Sequence, residues 1–267
     1  MSVTTGLREN PALVQDVLES HFSLTNLPGL IDTVTFDGAS GWTSPNPHPV
    51  LSLMRWTTSD DKVALEALTE TISFFREKGR GFDWITGPES EHLVPHLQER
   101  GFLKPPLPVG AMVRALDWPV ESPDLNGFDI VKWDDPDDLL PSDIMSAGFE
   151  VPDDVGAIYH KAYMQPTQLQ RSDIYVAVDV QTSCPVAVGY LSYIGEGPSV
   201  LLRVSSTLED YRGRGLYHAL VQRRIADAAR AGRRMAFVQA YSDDSRRALV
   251  DLGFECAGDM LLHRWRP

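Results

Sequence analysis

Two stretches of this chain repeat the same order of short patterns, and this repeat limits the fold more than any other feature. Residues 90–102 align without gaps on residues 242–254, and both stretches end in Gly-Phe after a run typical of a short helix. Gly79 and Gly232 each precede a strand-like apolar run, and a further apolar run ending in Trp follows each Gly-Phe pair. The repeat predicts two related α/β units, each with the order helix, Gly turn, strand, short helix, Gly-Phe, strand.

A linker between the two units is predicted at residues 119–127, where the sequence Pro-Val-Glu-Ser-Pro-Asp-Leu-Asn-Gly is rich in turn-forming residues. The predicted domains are therefore residues 1–120 and residues 127–267. With 267 residues, of which 43% are hydrophobic, the chain is long enough for each domain to bury its own core.

Composition excludes several classes of protein. Residues 1–10 lack the pattern of a secretory signal, and nowhere do eighteen apolar residues run together, so the protein is expected to be cytoplasmic without a membrane span. The two cysteines, Cys184 and Cys256, have neither metal-ligand spacing nor the number needed for a disulfide scaffold. We expect both to be buried as small apolar residues, and we predict no metal site.

The charge is divided unevenly along the chain. The net charge is −13, but residues 200–267 contain twelve arginines and eight acidic residues, which gives +4 there and −17 in the rest. The acidic remainder would repel a polyanion, and no alternating aromatic and basic platform is present, so nucleic acid is not an expected partner. This distribution favours one small, highly anionic ligand on the basic segment.

A glycine-interrupted basic turn lies within that segment. Residues 208–219 read Leu-Glu-Asp-Tyr-Arg-Gly-Arg-Gly-Leu-Tyr-His-Ala; they follow a β-branched run at residues 199–207 and pass into an apolar stripe of helical period. A turn of this kind directs backbone N–H groups and the positive end of a helix dipole at one point. The sequence therefore predicts an anion site here, suited above all to a pyrophosphate group.

The region from residue 200 to residue 254 resembles the GNAT N-acyltransferase superfamily. The acetyl-CoA motif of that family is Arg or Gln, two residues, Gly, one residue, then Gly or Ala, between a strand and a helix. Arg212, Gly215 and Tyr217 occupy these positions. The resemblance covers residues 128–267 directly and the N-terminal half through the repeat. It implies an α/β (α+β) chain of two GNAT-like units, each with a mixed, mostly antiparallel sheet flanked by helices, the second complete and the first degenerate.

The resemblance also implies acetyl-CoA as co-substrate. The glycines of the turn would let the backbone approach the phosphates, the arginines would add charge, and the end of the preceding strand would offer backbone groups to the pantetheine arm. Two serines fall where the family commonly has Asn and Ala beside the pantetheine. The expected cofactor-binding residues are Ser205, Ser206, Thr207, Arg212, Gly213, Arg214, Gly215, Leu216, Tyr217, Ser242 and Ser245.

The usual proton carriers of the family are missing. The position that often holds a Glu general base is Arg203, and the position that often holds a Tyr general acid is Leu249. Tyr241, at the end of a predicted strand, and Glu196, in the turn before the central strand, are the candidate catalytic substitutes.

The N-terminal copy lacks the phosphate turn. Its strand at residues 50–56 leads through Thr57-Thr58-Ser59-Asp60-Asp61 directly into a helix, so Ser59 or Asp60 would cap that helix. Carboxylates would occupy the place of a phosphate, and this copy is expected to bind no CoA. Its expected role is to cover a sheet edge, to close the acceptor pocket, or to form the contact of a homodimer.

The sequence thus predicts an N-acetyltransferase that transfers an acetyl or short acyl group to a primary amine of a small molecule or protein, by direct attack in a ternary complex. The acidic surplus favours a cationic acceptor. Two alternatives remain open: a catalytically impaired CoA-binding sensor or interaction protein, which the missing Glu and Tyr favour, and a nucleotide-binding regulator that uses the same turn.

Overall fold

The protein contains seven α-helices and eleven β-strands within residues 10–24, 26–116, 125–135, 137–167 and 170–267, which the computed structural model describes. The helices are α1 Pro11–Ser20, α2 Asp61–Glu77, α3 Val94–Glu99, α4 Leu140–Phe149, α5 Asp153–Met164, α6 Leu216–Arg230 and α7 Asp243–Asp251. The strands are β1 Asp32–Phe36, β2 Ala39–Thr43, β3 Ser52–Trp56, β4 Phe82–Thr86, β5 Leu107–Ala115, β6 Phe128–Trp133, β7 Gln170–Asp179, β8 Cys184–Ile194, β9 Ser199–Thr207, β10 Met235–Ala240 and β11 Glu255–Trp265. No helix of these ranges is both long and apolar enough to cross a membrane.

Contacts within the chain define two compact units. Unit 1 comprises Met1–Met112, Gln239–Arg246 and Glu255–Pro267, and unit 2 comprises Val113–Val238 and Arg247–Phe254. This division places β11 in unit 1, although the repeat assigns it to the second half of the chain. Residues 119–124 of the predicted linker lie outside the described residues, and the boundaries 1–120 and 127–267 stay a prediction.

Unit 1 is built on a sheet in the order β1-β2-β3-β4-β11, in which only the β3–β4 pair is parallel. Helix α2 covers its core, which is rich in aromatic side chains. Phe75 of α2 stacks on Phe82 of β4 at 4.4 Å between ring centroids, and Trp56 and Trp84 lie 4.7 Å apart. Burial of these large rings provides a major part of the stability of the unit.

The last strand, β11, is held on β4 by an ion pair and by its register. Arg264 is the direct partner of Asp83 in the ladder. Its Nε and Nη2 donate to the two carboxylate oxygens of Asp83 at 2.8 and 2.7 Å. Burial raises the pKa of the Asp83 carboxyl, and the hydrogen bonds and charge of Arg264 oppose this increase. Such a bidentate pair fixes the register as well as the partner of the strand.

Unit 2 contains a sheet in the order β10-β9-β8-β7-β6, in which β10 and β9 are parallel and the other pairs are antiparallel. Helices α4 and α6 both pack on β9 and β8. The predicted fold class, α+β with mixed, mostly antiparallel strands flanked by helices, is therefore confirmed. Strand β9 begins and ends with the β-branched run that the sequence shows at residues 199–207.

The prediction for the cysteines is wrong. Cys184 is exposed and Cys256 is half-buried. Cys184 follows the turn of the β7–β8 hairpin, where Ser183 has a φ of +57°, so it lies at the end of a strand and not in its covered middle.

Candidate functional site

A loop with two left-handed glycines joins strand β9 of unit 2 to helix α6. After β9, residues Glu209–Tyr211 form a single 3-10 turn, Gly213 and Gly215 have φ values of +73° and +78°, and α6 begins at Leu216. Gly215 is the N-cap residue, and no side chain caps the helix. The N–H groups of the first turn of α6 are therefore directed out of the helix end, and the helix dipole adds positive potential there.

Both glycines leave open space beside the backbone. A Cβ atom built on Gly213 or on Gly215 would meet no atom within 4 Å. Their conformation, and not crowding by the protein, requires glycine, because residues with a side chain rarely adopt a positive φ. A ligand can therefore reach the backbone of this loop directly, as the sequence predicts for a pyrophosphate site.

Two exposed arginines flank these glycines. Arg212 Nε donates to the carbonyl oxygen of Thr207 at 3.3 Å, and Arg214 Nη2 donates to the carbonyl oxygen of Asp210 at 3.1 Å. The guanidinium of Arg214 also lies over the ring of Tyr211, 4.9 Å from its centroid. Because the acceptors in these two hydrogen bonds are neutral, the bonds orient the arginines without cancelling their charge.

The two residues that begin α6 differ in what they can offer a ligand. Leu216 is 2% exposed, so its side chain belongs to the core and only its backbone faces the loop. Tyr217 is half-buried, with its ring edge-on to that of His218 at 6.0 Å. The phenol thus packs beside the helix and the backbone donor of this position is retained.

Strand β9 contains a bulge just before the loop. The register with β8 pairs Arg203 with Tyr190 and Ser205 with Gly189, so Val204 has no partner in the pairings of the described strands. Val204 has a φ of +42°. On the other side, the parallel pairing with β10 stops at Leu202. From residue 203 to residue 207, the backbone edge of β9 on the β10 side is therefore outside the ladder, and it is the part of the strand that could hydrogen-bond a ligand.

The side chains of Ser205 and Ser206 fix this segment from opposite sides. Ser205 Oγ accepts a hydrogen bond from Arg224 Nη2 of α6 at 2.7 Å, and Ser206 Oγ donates to the carbonyl oxygen of Ile144 of α4 at 2.7 Å. A Cβ atom at Gly148 of α4 would collide with Ser206 Oγ. Both hydroxyls thus help to hold the strand, and the backbone edge of residues 205–207 is what this segment offers a ligand.

A buried cluster of polar and aromatic residues surrounds Arg203. Arg203 Nε donates to Ser192 Oγ at 3.2 Å, and its guanidinium lies 5.3 Å from the ring centroid of Tyr163. Tyr190 OH is 2.9 Å from Nδ1 of the buried His160. Burial raises the pKa of the phenols of Tyr163 and Tyr190. Both phenols therefore stay protonated at neutral pH, and an arginine cannot serve as a general base there.

The structure does not bring Glu196 to the loop. Glu196 is exposed in the turn that joins β8 to β9, and the carbonyl groups on either side of it accept hydrogen bonds from Arg233. Nine residues of β9 separate this turn from the loop, a distance of about 30 Å along the strand. The role of Glu196 as a proton carrier stays a prediction. Leu249, at the other family position, is fully buried in α7.

The remaining predicted residues belong to unit 1. Tyr241 is 41% exposed, and its hydroxyl donates to Gln239 Oε1 at 3.0 Å. Ser242 Oγ accepts from the backbone N–H of Ser245 at 3.2 Å and so caps the start of α7. The Ser242 side chain therefore has a local structural use, and its predicted contact with pantetheine stays a prediction, as do the roles of Tyr241 and Ser245.

Sequence reasoning missed Arg224. It is fully buried in α6, although the sequence suggests an ordinary exposed helical arginine. A signal was present, because Leu220, Arg224 and Ala228 are spaced four residues apart on the apolar stripe. A charged residue on such a stripe indicates a buried hydrogen-bonding role. The conformation of Val204 has no comparable signal in the sequence.

Known structures agree with this architecture, although no family model and no curated protein matches the sequence. A GCN5-related N-acetyltransferase from Kribbella flavida is 16% identical, with a TM-score of 0.70, over 94% of this chain and 95% of that chain. One from Sphaerobacter thermophilus is 15% identical, with a TM-score of 0.66, over 95% and 86%. A tandem GNAT protein from the clavulanic acid biosynthesis pathway is 12% identical, with a TM-score of 0.66, over 97% of both chains. The chain therefore has the GCN5-related N-acetyltransferase fold over nearly its whole length, as the sequence resemblance predicted.

Proposed function

We propose that the protein is an N-acyltransferase that uses acetyl-CoA, or another short acyl-CoA, to acylate a primary amine of a small molecule or a protein. The observation that carries this proposal is the loop between β9 and α6. Its open glycines, its two exposed arginines and the helix start without a side-chain cap suit a diphosphate.

The residues of unit 2 that would hold CoA lie in the loop before α6 and at the end of β9. The N–H groups of residues 213–217 would hold the pyrophosphate, with Arg212 and Arg214 adding charge-assisted hydrogen bonds. The backbone edge of residues 205–207 would hold the pantetheine arm. The bound group supplies the chemistry of a thioester, whose carbonyl carbon is open to attack by an amine.

Direct transfer needs few groups from the protein. The amine nitrogen forms a bond to the thioester carbonyl carbon, the carbon–sulfur bond breaks, and the proton lost by the nitrogen balances the charge on the departing thiolate. The protein would position the two reactants and stabilise the oxyanion through the backbone of the central strand. Arg203 cannot accept the amine proton and Leu249 cannot protonate the thiolate, so the amine proton would leave through water.

Charge supports a cationic acceptor. Residues 1–199 carry a net charge of −17, whereas residues 200–267 carry +4. An acidic surface raises the local concentration of a cationic amine, and a basic loop does the same for CoA. Two ligands of opposite charge would thereby be attracted to different parts of the chain.

A CoA-binding sensor or interaction protein is the second candidate function. It is favoured by the residues at the two family positions for proton transfer, where Arg203 is buried against Ser192 and Leu249 is fully buried. Such a protein would keep the loop and bind CoA without turnover.

Two measurements separate these candidates. Acetyl-CoA is expected to raise the melting temperature of the protein, whereas ATP and NAD at the same concentration are not; the reverse result would contradict the CoA site and favour a nucleotide-binding regulator. Release of free thiol from acetyl-CoA is then followed with a panel of mono-, di- and polyamines and amino acids. Binding of acetyl-CoA without thiol release above the no-amine rate in any member would favour the sensor.

A further inference from the structure

The bulge of β9 needs an explanation, because it places a β-branched residue in a conformation that such residues avoid. Val204 has a φ of +42°, and it is neither a glycine nor an asparagine. A residue of this type persists in the left-handed region only when its surroundings hold it there, and such residues cluster at functional sites. The surroundings of Val204 should therefore contain the group that holds it.

Arg224 is that group. Its guanidinium donates to the residues on both sides of Val204, to the carbonyl oxygen of Arg203 at 3.1 Å and to Ser205 Oγ at 2.7 Å. It also donates to the carbonyl oxygen of Tyr190 on β8 at 3.0 Å, and its Nε donates to the carbonyl oxygen of Leu220 in its own helix at 3.0 Å. One side chain thus ties α6, β8 and both ends of the bulge together.

The opposite strand makes room for this side chain. Gly189 of β8 is the ladder partner of Ser205. A Cβ atom at Gly189 would lie 2.7 Å from Cζ of Arg224 and 2.9 Å from its Nε. Glycine is needed at this position for space, since any other residue would push the guanidinium away from the bulge.

The electrostatic cost of this arrangement shows that it is not ordinary packing. Arg224 is fully buried, and its four acceptors are neutral oxygens. Burial lowers the pKa of its guanidinium to about 10. An apolar residue on the same stripe of α6 would be cheaper to bury than a charge. An apolar residue, however, cannot hydrogen-bond three separate backbone segments, as Arg224 does.

From these contacts we infer that Arg224 is a positioning residue. It holds Val204 in its left-handed bulge so that the backbone of β9 can hydrogen-bond the thioester carbonyl oxygen of the bound acyl-CoA. This inference rests on the proposed function. It assigns to Arg224 an effect on the acyl group and not on the phosphates, because the two residues of β9 that Arg224 holds are Arg203 and Ser205, and the phosphate loop begins at Arg212.

The test compares CoA with acetyl-CoA carrying ¹³C at the thioester carbonyl. The variants are Arg224→Met, Arg224→Lys and the double variant Val204→Gly/Arg224→Met. Arg223→Met is the matched control, since Arg223 is the neighbouring arginine of α6, part-exposed and paired with Asp227. Circular dichroism melts establish that each variant is folded, and Arg224→Lys replaces Arg224→Met in the comparison if the latter does not fold.

We expect Arg224→Met to keep the binding of CoA and to lose the polarisation of the thioester carbonyl. In wild type the bound carbonyl resonance should move downfield from its free position, because a hydrogen bond polarises the carbonyl. Arg224→Met should keep its affinity for CoA within about threefold, lose the downfield shift, and lower kcat by about 100-fold, the effect of losing one oxyanion donor. The double variant should recover part of the shift and of kcat, since glycine adopts a positive φ without strain. Arg223→Met should behave as wild type.

Three outcomes would overturn the inference. The first is a folded Arg224→Met protein whose bound carbonyl is shifted as in wild type. The second is a double variant no better than Arg224→Met in both shift and kcat. The third is wild-type protein that binds acetyl-CoA without any carbonyl shift, which leaves the CoA site itself intact. A wild-type protein that does not bind acetyl-CoA would instead contradict the proposed function, and the inference with it.

Discussion

The first helical turns of α2 and α6 occupy the same place in the repeat and have opposite chemistry. In unit 2, the N-cap of α6 is Gly215, which is left-handed and offers no capping side chain. In unit 1, the N-cap of α2 is Asp60, whose carboxylate accepts hydrogen bonds from the N–H groups of Lys62 and Val63 at 2.9 and 3.1 Å. The N-terminus of α6 is open to an anion from solution, whereas the N–H groups at the N-terminus of α2 are already bonded to the Asp60 carboxylate.

With the proposed CoA site in unit 2, this difference would make one helix end serve binding and the other serve stability. A capping carboxylate satisfies the same N–H groups that a phosphate would, so a helix end can serve one purpose or the other. The prediction that Asp60 or Ser59 caps α2 is confirmed for Asp60. Asp61 adds a second carboxylate to the first turn of α2, where the corresponding segment of unit 2 has Arg212 and Arg214.

The largest expected effect comes from closing the open helix end. Gly215→Val introduces a β-branched side chain at a φ of +78° and into the space beside the loop backbone. We expect loss of CoA affinity by at least about 100-fold, because both the strain and the new side chain oppose the loop conformation that a phosphate needs. Isothermal titration calorimetry with CoA measures the affinity of the variant. Thr58→Val, which introduces the same side chain two residues before the N-cap of α2, should leave the affinity unchanged, and equal losses in both variants would refute a single site in unit 2.

Much of this comparison could be predicted from the sequence, because its signals are local. The glycines of the loop, the cap at Asp60 and the apolar stripes of α2 and α6 depend on residues only a few positions apart. The partner of β11 could not be predicted, because a strand can pair along either edge and the pair Asp83–Arg264 joins residues far apart in sequence. The bulge at Val204 was missed for the same reason, since α6 and β8 impose it through Arg224 and Gly189.

Unit 1 should depend on the pair that holds β11, while the loop of unit 2 should not. Asp83→Asn leaves Arg264 without its charged partner, and Asp83 is 4% exposed in the wild type. Removing one member of such a pair should destabilise the protein by about 3 kcal/mol. Urea denaturation gives the change in the free energy of unfolding. If the variant is as stable as wild type, the ion pair is not what holds β11 on β4.

The stability of unit 1 should also respond to pH through His263 of β11. His263 is 1% exposed, its Nε2 lies 3.1 Å from Thr86 Oγ1, and burial lowers its pKa to about 4. Because the folded state binds this proton less readily than the unfolded state, the contribution of His263 is complete above pH 6.5 and is lost as the pH falls from 6.5 to 4. Its expected size is about 3 kcal/mol.

A His263→Gln variant isolates this contribution from that of the acidic residues. The difference in unfolding free energy between wild type and variant should become less favourable to wild type between pH 7 and pH 4, while CoA affinity at pH 7 stays the same in both. A difference that does not change with pH would show that His263 titrates normally, and therefore that this part of β11 is open to water.

The smallest expected effect tests whether the Asp60 carboxylate is the only feature that would keep CoA from the N-terminus of α2. Asp60→Ala removes the acceptor for two N–H groups of α2 and should cost about 1 kcal/mol of stability, measured by urea denaturation. It should not create a CoA site, because the residues before α2 have neither left-handed glycines nor arginines to replace the loop of unit 2. A second CoA equivalent bound by Asp60→Ala in a titration would contradict this and make the carboxylate the sole barrier to binding. One equivalent would show that an open helix end is not sufficient for a CoA site and that the loop before α6 supplies what is missing.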